Sequence, residues 1–411
     1  MPTDVALEAC ACLQPAPILA LPALPSASLP SSPLPPPGPG GAVVPAPEPP
    51  LRGVAGLRDP SRPRANRHDD AARGVLLGRI AALLDLPLLD PLDADDARRH
   101  PLLLVPGEAI ERPLAAAAGI DRPSRILGGI VPAAFVGTKA IAHGLVDPAA
   151  ACPPDWSPLM AELTAGSVLR GYTAFTRADA LLAGSRLLAH GPVRLKDVCG
   201  KAGLGQAVVR SGAELSAALA LEDPDGLARC GLVLEEDLAD VSTYSVGTTE
   251  LGGRRISYWG QQNLTRDHQG REVYGGSDLF AVRGDLCDLL ARDLPPVLAE
   301  AVRVAALFDA AARRCYPDLL LTRRNYDVIQ GTDASGRSRI AVLEQSWRVG
   351  GASGAEIAAF EAFRAEPDTR EVRCSTVERY DQVIPPAGAT TYFCGDDPVV
   401  GPLTKFALRL G

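Results

Sequence analysis

Lys196 stands in an otherwise apolar run, within "GPVRLKDVCGKAGLGQAVV" from Gly191 to Val209. A lysine on such a strand must reach either solvent or an anion. The glycines that follow it, Gly200, Gly203 and Gly205, let backbone amides approach a partner closely, most often a phosphate. The loop is not a P-loop, because Gly200 is followed by Lys201 and Ala202 rather than by Lys and Ser or Thr. The residues after it, "QAVV", continue as a strand, so the glycines form a hairpin tip. By itself such a tip reads as a flexible surface turn, and it is Lys196 that shifts the reading toward an anion.

A second group of residues suits a metal. Asp327 and Glu344 flank the turn "TDASGRS", whose centre falls between Ser335 and Gly336, so they oppose each other on adjacent strands. Directly opposed residues have Cβ atoms about 4.5 to 5.5 Å apart. Two carboxylates that close repel unless a cation lies between them, and Mg²⁺ held by one or two carboxylates plus phosphates is the natural occupant. The alternative is an ion pair of one acid with Arg323, Arg324 or Arg348. Beyond Glu344, "SWRVGGASGAEIAAFEAF" places Arg348 ahead of a helix opened by a Ser353/Glu356 capping box. Free amides and Arg348 there suit a substrate carboxylate, or form a structural glycine turn with a solvated arginine. Gln261, Gln262 and Asn263 either read a polar substrate or line a loop.

These residues need elements to hold them. "TRADALLAGSRLLAH" reads as a helix, "SGAELSAALAL" as a helix opened by Ser211 and Glu214, and "GLVLEEDL" as a buried strand ending in acids. "TYSVGTTELGGRRISYWGQQNL" reads as a hairpin around Gly252 and Gly253, and "LPPVLAEAVRVAALFDAAARRC" as a long helix. "NYDVIQGTDASGRSRIAVLEQSW" reads as another hairpin. Helix on antiparallel sheet, twice over, is an α+β arrangement. Upstream, "DDAARGVLLGRIAALLDL" has helical spacing behind an acidic first turn, while "PLLLVP" and "RILGGIVPAAFV" read as short buried strands, the pattern of an α/β unit. Fifteen of the 38 prolines fall in the first 50 residues, which predicts a disordered tail over residues 1–68.

The 411 residues, 46% hydrophobic and 22% charged, suffice for a sizeable core. A net charge of -8 without a basic run argues against nucleic acid. No apolar run approaches the roughly 18 residues of a membrane span, and no Lys or Arg precedes Arg52, so neither membrane nor signal peptide is expected. Nine cysteines without a CxxC pair fit small buried hydrophobes in a reducing cytoplasm. The five histidines form no evident cluster.

In that order, the lysine strand, glycine hairpin, acid-ended strand and carboxylate hairpin resemble the ATP-grasp superfamily over about Ala134 to Ala365. Within it the chain resembles a bacterial set known as domain of unknown function 3182. The resemblance implies an ATP-grasp-like fold: after the tail, an N-terminal α/β domain at 69–160, a glycine-loop lid subdomain at 161–238 and a C-terminal antiparallel-sheet subdomain at 239–411. It implies ATP and Mg²⁺ as cofactors. Lys196 would contact the α-phosphate and the adenine, and Gly203, Leu204, Gly205 and Gln206 would cover the β- and γ-phosphates. Glu235, Asp237 and Leu238 would form the hinge beside the adenine, and Lys139, or else Arg170, would be the first basic residue. Asp327 and Glu344 would ligate Mg²⁺, with Arg324 near the γ-phosphate and Arg348 toward the substrate. Two positions depart from the pattern: Ser346 stands where the family places Asn in the metal set, and Ser242 or Thr243, with Asp240 nearby, where a ribose-binding carboxylate belongs. The implied activity is a ligase that activates a carboxylate as acylphosphate for attack by an amine, its partner a small-molecule or peptide substrate. A small-molecule kinase and a catalytically reduced nucleotide-binding protein are the alternatives.

Overall fold

The structure is a computed structural model that describes residues 49–61, 66–198 and 205–411. The prolines of residues 1–48, and Gly203 and Leu204 of the glycine loop, lie outside the described residues. Within the compact unit Leu51–Gly411, the first element is a strand, Val54–Leu57, parallel to Leu103–Pro106. Val54–Leu57 and the helix start at Arg67 and His68, expected to belong to a disordered tail, therefore form ordered elements. Val54 and Ala55 are fully buried, and the hydrophobic contact of this strand with helix Arg67–Leu83 outweighs the proline-rich composition on either side. Asn66 caps that helix by accepting from the Asp69 amide.

The lysine strand Val193–Asp197 lies inside a four-stranded antiparallel sheet, between Leu232–Glu236 and Gln206–Val209, with Gly171–Ala174 outermost. Helices Arg177–Leu188 and Gly212–Ala220 cover it, burying Ala180, Ala183, Leu187, Leu215 and Leu219. The strand read as a hairpin arm pairs Lys196 with Gln206 across the glycine loop.

An eight-stranded sheet forms the larger layer. Its order runs Ser338–Ser346, Arg323–Thr332, Ala239–Leu251, Arg254–Arg266, Glu272–Arg283, Glu371–Arg379, Gly401–Leu410 and Thr390–Asp397, with every neighbouring pair antiparallel. Helix Pro296–Cys315 packs on one face through Val302, Ala305 and Phe308, and helix Ser353–Ala365 on the other through Ile357, Ala359 and Phe363. Gly252 and Gly253, with φ of 56° and 71°, turn the central hairpin through a conformation that side chains resist. Cys374 is buried as expected, but Cys152 and Cys394 are exposed. No helix among the described residues is long and apolar enough to cross a membrane.

Candidate functional site

One short segment organises the site. Thr138 caps a 3₁₀ turn at Lys139–Ala142 by accepting from the Ala140 amide, and Gln345 donates to the carbonyls of Val136 and Thr138 from the carboxylate hairpin. Lys139 Nζ thereby lies 2.5 Å from Glu344 Oε2. Four residues on, His143 Nε2 lies 3.1 Å from Glu235 Oε2, whose other oxygen is 2.5 Å from Lys196 Nζ. His143, Lys196 and Glu235 are 3%, 2% and 1% exposed, so the lysine reaches an anion, not solvent. Burial pushes the Glu235 carboxyl upward, but Lys196 and His143 outweigh it and hold it at about 2. His143 was not singled out in the sequence, although its distance from Lys139 was legible there.

Asp327 pairs directly with Glu344. The turn centres on Ser335, not between Ser335 and Gly336 as expected from the sequence: Thr332 pairs with Ser338, and uninterrupted pairing would set Asp327 against Leu343. A bulge after Asp327 makes Leu343 the extra residue and brings Glu344 opposite. Burial first, and then the Glu344 charge, raise the Asp327 carboxyl to about 6. Asp327 Oδ1 accepts from Gln262 Nε2 at 2.7 Å and from Asn325 Nδ2 at 2.9 Å. The acid pair is thus met by Lys139 rather than by any of the three arginines considered.

Arg324 projects from the other face. Successive residues of a strand alternate sides, so Arg323, Asn325 and Asp327 share one face and Arg324 and Tyr326 the other. Arg324 pairs with Asp309 at 3.2 Å and Glu250 at 3.4 Å, beside helix Pro296–Cys315, and does not join the carboxylate pair expected to lie near it. Arg323 replaces it on the carboxylate face, buried and bound to Glu356 at 2.7 Å. Its guanidinium also donates to the carbonyls of Ser346 and Arg348. This demand for a counter-charge overrides the expected capping box: Ala352 precedes the helix, Ser353 Oγ accepts from Gly350, and Glu356 serves Arg323. Arg348 meets Glu108 at 3.1 Å, and Asp237 meets Arg194 at 2.7 Å. Gln206 accepts from Arg194 at 3.1 Å, Leu238 is buried, Gly205 has φ 72°, and Asp240 is exposed with φ 51°. Arg170 donates its amide to Glu236. Asn263 binds Asp278, away from Asp327.

Two antiparallel layers, with a lysine strand and glycine hairpin in one and a carboxylate hairpin in the other, define an ATP-grasp fold. The biotin carboxylase domain of Hydrogenobacter thermophilus 2-oxoglutarate carboxylase, solved with MgADP, ADP and bicarbonate, is similar over 88% of this chain and 86% of its own, at 13% identity and a TM-score of 0.51. N5-carboxyaminoimidazole synthase from Aspergillus clavatus, with ADP and 5-aminoimidazole ribonucleotide, aligns over 88% of this chain and 94% of its own, at 12% identity and a TM-score of 0.48. An ADP complex of N5-carboxyaminoimidazole ribonucleotide synthetase aligns over 61% of this chain and 64% of its own, at 13% identity and a TM-score of 0.37. The chain spans less than two thirds of that structure's length. The chain belongs to the family described as protein of unknown function (DUF3182), whose model matches residues 57–407. No curated protein matches it.

Proposed function

We propose that the protein is an ATP- and Mg²⁺-dependent ligase that activates a carboxylate as an acylphosphate for attack by an amine. The observation that carries this reading is the Lys139–His143 segment, which sets one lysine on the carboxylate hairpin and, through Glu235, holds another on the lysine strand. Lys139 can turn to the phosphates of a nucleotide when a divalent cation takes its place on Glu344, and Lys196 can do so while His143 stays on Glu235, so neither leaves a carboxylate without a partner. Asp327 and Glu344 are the residues that would hold Mg²⁺. Although Lys139 already lies on Glu344, burial and the Glu344 charge still make Asp327 hard to ionise, so the acid pair favours further positive charge. Bound there, Mg²⁺ supplies charge neutralisation at the transferring phosphoryl group. Lys139 and Lys196 orient the phosphates, and the Gly205 and Gln206 backbone lies at the edge of the lid. The MgADP of the Hydrogenobacter thermophilus structure supports nucleotide use on this fold.

No side-chain nucleophile is needed, because the phosphoryl group supplies the leaving group. Arg348, at the end of the carboxylate hairpin, is the group we assign to the acceptor carboxylate. The test is ADP release on incubation with ATP, Mg²⁺ and a panel of carboxylates and amines. ADP release that needs both a carboxylate and an amine is expected. Release without an amine would make the protein a kinase, and ATP binding with no release on any substrate would make it a nucleotide-binding protein without turnover.

A further inference from the structure

We propose that Asn325 is the third protein ligand of the metal held by Asp327 and Glu344, supplying its amide oxygen from the strand opposite Ser346. The inference rests on the metal-dependent reading above. Among the described residues, no group of three or more His, Cys, Asp or Glu is placed to hold a metal ion. Any further protein oxygen on the metal must therefore come from a neutral group, a side-chain amide or hydroxyl or a backbone carbonyl. Ser346 offers a hydroxyl that already accepts from Arg323 Nη1 at 3.3 Å. Its direct cross-strand partner is Asn325, two residues before Asp327 and on the same face.

Three distances give Asn325 this role. Its amide nitrogen lies 2.9 Å from Asp327 Oδ1, and its amide oxygen lies 3.0 Å from the Tyr258 hydroxyl. That hydroxyl also lies 2.7 Å from Glu356 Oε1. A tyrosine hydroxyl has one proton, and here it faces two acceptors. Turning the Asn325 amide by half a turn about its last torsion exchanges oxygen and nitrogen in place. The nitrogen then donates to the Tyr258 oxygen, Tyr258 gives its proton to Glu356, and every group stays satisfied. The amide oxygen then sits about 2.9 Å from Asp327 Oδ1. Neighbouring ligands of an octahedral Mg²⁺ with bonds of about 2.0 to 2.1 Å are separated by about 2.9 Å. Without a cation two facing oxygens repel, so the amide presents nitrogen to Asp327. With one, the oxygen faces the metal.

The sequence is built for this reach. Gly247 lies on the strand between Asn325 and Tyr258, and a Cβ there would come within 2.4 Å of the Tyr258 hydroxyl. Only the absence of a side chain lets Tyr258 cross the strand to Asn325. Gln262 remains on Asp327 as a donor and keeps that carboxylate oriented.

The experiment measures Mn²⁺ binding to the full chain at pH 7.5, by the loss of the free-ion electron paramagnetic resonance signal, with thermal melts as the folding control. Asn325→Ser is expected to weaken Mn²⁺ binding by about tenfold or more. The exchange variant, Asn325→Ser with Ser346→Asn, keeps the same side chains on the same strand pair and is expected to recover most of the affinity. Wild-type affinity in Asn325→Ser, or a loss that the exchange leaves in place, overturns the proposal. Asp327→Asn separates this from the reading beneath it. If that variant loses Mn²⁺ while Asn325→Ser keeps it, the metal site stands and the third ligand falls. Undiminished binding in Asp327→Asn, or no binding by the wild type, overturns both.

Discussion

Lys196, Glu235 and His143 form a charged cluster closed off from water, and its members depend on one another. Breaking a buried ion pair strands a charge, which typically costs about 3 to 5 kcal/mol. Lys196→Met is therefore expected to lower the stability of the nucleotide-free protein by about 3 kcal/mol, with Lys196→Met/Glu235→Gln recovering part of it, as read by urea denaturation. Asp327 behaves in the opposite sense. Its folded-state pKa of about 6 is above its ordinary value of 3.8, so the stability it contributes is present below pH 3.8 and is lost as pH rises through 6. Asp327→Asn should consequently match wild type near pH 4 and melt higher than wild type at pH 7 without metal. Added Mg·ATP should raise the melting temperature of the wild type alone. A lower melting temperature at pH 7 for the variant would make Asp327 a structural ion-pair partner.

At the scale of elements, the strand Arg323–Thr332 divides its charges between two helices. Its even face gives Arg324 and Tyr326 to Asp309 on Pro296–Cys315, and its odd face gives Arg323 to Glu356 on Ser353–Ala365. Arg324→Met leaves Asp309 with Arg313 and Tyr326, so a loss of about 1 to 3 kcal/mol is expected. Because Arg324 is on the face away from Asp327, the Mg·ATP-induced rise in melting temperature should be unchanged. Loss of that rise would return Arg324 to the site. Glu356→Gln removes the buried counter-charge of Arg323 and is expected to cost about 3 to 5 kcal/mol in the same melts.

Across the whole unit Leu51–Gly411, the strand Val54–Leu57 is the first layer of the parallel pair that helix Arg67–Leu83 covers. Full burial of a Val or Leu side chain contributes about 1.5 to 3 kcal/mol. A chain starting at Asp70 loses Val54, Leu57 and the Asn66 cap together, and should unfold several kcal/mol more easily than one starting at Leu51. Equal denaturation midpoints would make the strand dispensable.

The sequence alone determined the local elements: the glycine hairpin after Lys196, the Gly252–Gly253 turn, the long helix before Cys315 and the carboxylate hairpin. Each follows from periodicity and turn residues, which act over a few positions. Parity also put Asn325 on the face of Asp327, legible but unused. What only the tertiary structure decided depends on contacts distant in the chain. The bulge at Leu343 sets Glu344 against Asp327, where the turn alone would have offered a leucine. Lys139 and His143 reach Glu344 and Glu235 across some 200 and 90 residues of chain. Buried Arg323 takes Glu356 from the helix start, because a desolvated guanidinium needs a carboxylate more than a helix end needs a cap. Hydrophobic pattern thus specified which residues form strands, while the pairing of buried charges specified which of them meet.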